Sequence, residues 1–156
     1  AMADILGRCY PELFAGVGVH SGLVTGAASD VMSAMNAMHN GPAAPAAHRG
    51  GMPPLIVFHG DADATVHARN GDAVVAAALG RGSAASQVTQ GTSPGGQRFT
   101  RSVHPATGDR AAVEHWQLHG AGHAWSGGSA RGSFTDPRGA DASAEMLRFF
   151  LAHPKH

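Results

Sequence analysis

The chain has 156 residues, and its eleven basic and eleven acidic side chains cancel. That length suits one domain spanning 1–156, folding with roughly 68–70% of its unfolded surface buried. The balanced charge offers no electrostatic footprint for nucleic acid or an anionic membrane surface, and the 43% apolar content argues against disorder.

No apolar run approaches the roughly 18 residues of a membrane span, and no signal-peptide pattern is read at the start. The single cysteine, Cys9, cannot close an internal disulfide, so the compartment stays open. Along the chain, residues 2–9 read as the last turns of a helix closed by Tyr10-Pro11, because proline disfavours the α conformation in the residue before it. No capping residue precedes them, so the chain is expected to begin inside an element. Leu13 to Leu23 reads as a strand of small residues leading into a loop, suited to close cover by helices on both faces. Val31, Met35 and Met38 recur at i, i+4 and i+7, which predicts a short amphipathic helix with its methionines filling the core.

Gly41 to Gly51 is a surface connection. Pro54 to Gly60 is a continuous apolar run, the pattern of a strand buried on both faces. Asn70 to Leu79 follows as a helix stopped by Gly80, and residues 81–97 read as irregular. Residues 98–103 and 112–118 predict a hairpin around the Thr107-Gly108-Asp109-Arg110 turn. Residues 120–132 are a glycine-crowded exposed loop, and 140–152 a helix burying Met146, Leu147, Phe149 and Phe150. The order argues an α/β class, with a mostly parallel sheet flanked by helices and a hairpin at its edge.

Eleven histidines invite a metal reading. His115, His119 and His123 stand at i, i+4 and i+8, but Gly120 and Gly122 break a helix there and residues 113–118 have strand character. Four residues of strand span about 13 Å, too far for one ion. Two loops carry more chemistry. His59-Gly60-Asp61-Ala62-Asp63 follows the buried strand, and Gly120-Ala121-Gly122-His123-Ala124-Trp125 follows the later one. Both belong to the carboxyl ends of strands, where α/β sheets gather ligands and catalytic groups. Acid before histidine is also the order that closes a Ser…Asp…His triad.

Together with Tyr10-Pro11-Glu12-Leu13-Phe14 through Gly22, and the ending Phe134-Thr135-Asp136-Pro137-Arg138-Gly139 through Phe149-Phe150, these segments resemble polyhydroxybutyrate depolymerase-type esterases of the α/β-hydrolase superfamily. The resemblance implies a partial α/β-hydrolase fold, the carboxyl-terminal portion of a catalytic domain. It implies Asp63 as triad acid and His123 as base, with Asp61 the rival acid, or a turn-forming one. His59 is then structural at a strand end, and Trp125 either a substrate wall or packing. It also implies a small or polymeric ester substrate and no metal or organic cofactor. In such esterases the serine lies in a G-x-S-x-G elbow, and by resemblance Ala1-Met2 would follow it by about four residues. The one G-x-S-x-G match, Gly91-Thr92-Ser93-Pro94-Gly95, falls in the stretch read as irregular and not between a strand and a helix, so no nucleophile elbow is read here. Ser21 follows a strand but lacks the elbow's paired glycines, and Ser126 shares a loop with His123. The expectation is a serine carboxylic-ester hydrolase whose missing amino-terminal half carries the nucleophile, or a chain that self-associates through an exposed sheet edge. A non-catalytic α/β binding module is the competing reading.

Overall fold

Six consecutive residues with no exposed face, Leu55–Gly60, form the strand around which the molecule is organised; a computed structural model describes residues 1–43, 51–80 and 87–155. In chain order the elements are α1 (Met2–Cys9), β1 (Val17–His20), α2 (Val31–Asn40), β2 (Leu55–Gly60), α3 (Arg69–Leu79) and β3 (Gln87–Thr92). They continue with β4 (Arg98–His104), β5 (Val113–Leu118), β6 (Trp125–Ser126), β7 (Thr135–Asp136) and α4 (Ala142–Ala152). The main sheet has the order β1-β2-β5-β4-β3. Its first three strands run parallel and β4 and β3 run antiparallel, so the α/β class holds with a mixed sheet.

Alternation along β2 divides the core. Leu55 and Val57 join Val17, Val19, Val74, Val75 and Val113 on the α3 face. Ile56 and Phe58 join Trp116, Leu118 and Phe149 on the α4 face. Gly18 of β1 lets α4 close in, because a Cβ there would stand 2.8 Å from the Met146 sulfur. α1 lies against β1 and is tied to the loop after it by a buried group. Asp4 pairs with Arg8 at 2.9 Å and accepts from the Thr25 amide at 2.7 Å and hydroxyl at 2.6 Å.

Several expectations need correction. The first strand is only Val17–His20. The helix at 31–40 forms, with an Asp30 capping box, but Val31 and Met32 are 75% and 76% exposed and Met35 is exposed as well, so these methionines fill no core. Of α2 only Ala37 is buried; of the periodic set Val31 and Met35 are exposed and Met38 is half-buried. Leu147 likewise stands 59% exposed on α4. Of the stretch expected to be irregular, residues 81–86 lie outside the described residues, and Gln87–Thr92 is a strand. Exposed along nearly its whole length, it has no alternating apolar signal and is held by its ladder to β4. The hairpin about Thr107–Arg110 does form, but β5 is interior, and the antiparallel edge is built from β4 and β3.

Candidate active site

β2 and β5 lie side by side and parallel, so the loops leaving their carboxyl ends start together. The Asp61 amide bonds the Leu118 carbonyl and the Ala62 amide bonds the Ala121 carbonyl, both at 3.1 Å. Gly60 permits this closeness, because a Cβ there would run into the Ala121 backbone. The stitching sorts the two aspartates to different histidines. Asp63 faces His123, Nδ1 to Oδ2 2.8 Å, whereas Asp61 faces His119, Nδ1 to Oδ2 2.8 Å.

Asp63 is built in. Its side chain is fully buried, and its other oxygen accepts from the Thr65 and Val66 amides at 2.9 and 2.8 Å. Burial pushes its pKa up, but the bonds from Val66, His123 and Thr65 together outweigh burial and hold the carboxyl below its ordinary value. A carboxylate only accepts, so His123 donates through Nδ1–H, which leaves Nε2 as the basic nitrogen. The imidazole is 35% exposed and lines a pocket of about 330 Å³ with His20, Ser21, Ala124, Trp125 and Phe134.

His59 is a strut beneath this loop, buried, with Nε2 donating to the Val66 carbonyl at 2.8 Å and standing 3.6 Å from Asp63. Trp125 both packs and faces the pocket. It lines the pocket, stacks on His20 at 4.9 Å between ring centroids, and donates from Nε1 to Ser143. Ser126 is sealed from His123's pocket, its hydroxyl donating to the Ala140 carbonyl at 2.6 Å.

Three features escape a reading of the sequence. Asp61–His119 is a second hydrogen-bonded pair, with His119 Nε2 also 2.8 Å from the Thr100 hydroxyl and the Asp61 carboxylate capping the Gly120 amide. The doubled aspartate of the Asp61-Ala62-Asp63 stretch and the histidines four apart were its only signal. Ser21 follows β1 with a backbone φ of +49°, and His20, the last residue of β1, lines the pocket. His115, His119 and His123 do not converge. Among the described residues, no group of three His, Cys, Asp or Glu could hold an ion together.

The family model described as Esterase PHB depolymerase matches residues 1–98, so the chain belongs to that family, an esterase class. The match spans α1 through the start of β4 and includes Asp61 and Asp63, whereas His123 lies beyond it. No curated protein matches the chain.

Proposed function

We propose that this chain provides the acid and base of a serine-type carboxylic-ester hydrolase, on a sheet that forms one part of an α/β-hydrolase fold. The observation that carries the reading is a buried, amide-capped Asp63 paired with a His123 whose Nε2 is left for the pocket, in a chain of an esterase family. In this mechanism Asp63 holds the imidazole in the Nδ1–H tautomer and stabilises the imidazolium. His123 Nε2 accepts the serine proton as Oγ attacks the ester carbonyl, then returns it to the departing alcohol; water repeats the cycle on the acyl-enzyme. Trp125 forms an apolar wall for the acyl chain. The one G-x-S-x-G of the 156 residues, Gly91-Thr92-Ser93-Pro94-Gly95, lies at the turn between β3 and β4. There the buried Ser93 hydroxyl donates to the Arg138 carbonyl and does not line the His123 pocket, so the proposal takes its nucleophile from polypeptide outside the 156 residues.

The test is turnover of p-nitrophenyl butyrate. Residues 1–156 alone are expected to match buffer and to resist a fluorophosphonate probe. Joined to a segment carrying the G-x-S-x-G serine, they are expected to turn over, and His123→Ala should remove that activity by about a thousandfold or more. Stoichiometric labelling of residues 1–156 alone would overturn the assignment. A folded, joined protein that hydrolyses no ester would favour the binding module.

A further inference from the structure

We propose that the Ser21 hydroxyl is a hydrogen-bond donor to an oxygen of the bound ester, held in that role by His20. The proposal rests on the esterase reading above and adds a substrate-contacting residue to it. A chain of hydrogen bonds with a defined direction carries the argument. The Ser126 amide stands 3.1 Å from His20 Nε2, and an amide can only donate, so Nε2 carries the lone pair. The proton of the neutral ring is therefore on Nδ1, which stands 3.2 Å from Ser21 Oγ and donates to it. Ser21 then accepts from His20 and has its own O–H proton to place. Among the described residues no protein acceptor takes it, and the hydroxyl's residue lines the His123 pocket.

The surroundings keep the ring neutral and still. His20 stacks on Phe58 (centroids 5.8 Å apart, planes at 6°) and on Trp125. The titratable groups facing it are His59 of β2, and Asp63 and His123 of the two loops. Burial pushes its pKa down to about 4, with His59 and His123 adding to the depression and Asp63 opposing it. A ring so weakly basic, with its bare nitrogen aimed at Ser126, does not withdraw a proton from Ser21. The geometry makes Ser21 a donor and not a nucleophile. Its φ of +49° belongs to a region unfavourable for any residue with a Cβ, and such backbone persists where the surroundings impose it.

The experiment has two readouts on residues 1–156. Long-range ¹⁵N–¹H spectra, with His20→Gln to assign the signal, should show His20 as the Nδ1–H tautomer at pH 7. A proton on Nε2 would overturn the relay. Methyl butyrate, titrated against the signals of His123 and Trp125, should bind about five- to tenfold more weakly to Ser21→Ala and Ser21→Gly. The glycine variant suits the positive φ and so keeps the fold. 1-Chloropentane, similar in size and a poor acceptor, should bind all three proteins alike. Unchanged ester affinity in both variants would overturn the donor role. A wild-type protein that shows the Nδ1–H tautomer yet binds no ester would instead overturn the ester reading of the pocket, and the ligand assigned to Ser21 with it.

Discussion

Asp61 and Asp63 stand two residues apart, yet one is a surface pair and the other a buried one, because the loop after β2 turns inward between them. Asp63→Ala would leave the buried Val66 amide without an acceptor, at a cost of about 1–3 kcal/mol, and would take the same acceptor from the part-buried Thr65 amide. Asp61→Ala exposes its former partners to water and should cost less than about 1 kcal/mol. Urea unfolding of the two variants checks the contrast; equal midpoints would contradict it. The buried histidines make a second residue-scale prediction. His20 and His115 have pKa values lowered from 6.5 to about 4, in each case chiefly by burial. Between those values the unfolded chain binds protons at these positions and the folded chain does not, so their contribution is complete above pH 6.5 and lost as pH falls towards 4. Below that window the depressed Asp63 and Glu114 carboxyls extend the loss. The unfolding midpoint should therefore rise with pH up to about 6.5 and then level, with His20→Gln shallowing the slope.

Elements differ in how firmly they are held, and apolar content is a poor guide to it. α1 is anchored by Asp4, a fully buried carboxylate shared by Arg8 and Thr25. Asp4→Ala leaves the Arg8 charge inside without that partner and should cost about 3–5 kcal/mol. α2 shows the reverse. Met32→Lys on its open face should change stability by no more than about 0.5 kcal/mol, despite the residue's hydrophobicity. Thermal melts of both variants measure this, and a large loss from Met32→Lys would mean that α2 is covered in solution. On β5, Glu114 shows how a charge survives inside the sheet: Arg101, Trp116 and Arg148 all donate to it.

The molecule as a whole ends its sheet differently on its two sides. At one side the outermost described strand is β3, polar and exposed along nearly its whole length. At the other side β1 has, among the described residues, β2 as its one strand partner, and apolar Leu6, Leu13 and Phe14 are exposed nearby. An unblunted edge beside apolar surface is a template for another strand. Our proposal is that residues 1–156 self-associate through β1, seen as a concentration-dependent rise in sedimentation coefficient at micromolar protein. A single monomeric species up to high micromolar concentration would refute it.

The local signals in the sequence were enough to place β2, α3, the Thr107–Arg110 turn and α4 close to where they lie, since each rests on an apolar run, a glycine stop or a turn motif a few residues long. They also brought Asp63, His123 and Trp125 forward as members of two strand-end loops. What they could not decide was anything set by partners distant in the chain. β3 exists through its ladder to β4, Met32 and Met35 of α2 are exposed because no described residue covers them, and Asp4 is buried through Thr25. The pairing of Asp63 with His123 and of Asp61 with His119 follows from the parallel register of β2 and β5. The direction of the His20 hydrogen bonds was invisible for the same reason: it depends on the Ser126 amide, 106 residues away, meeting Nε2 in the folded chain.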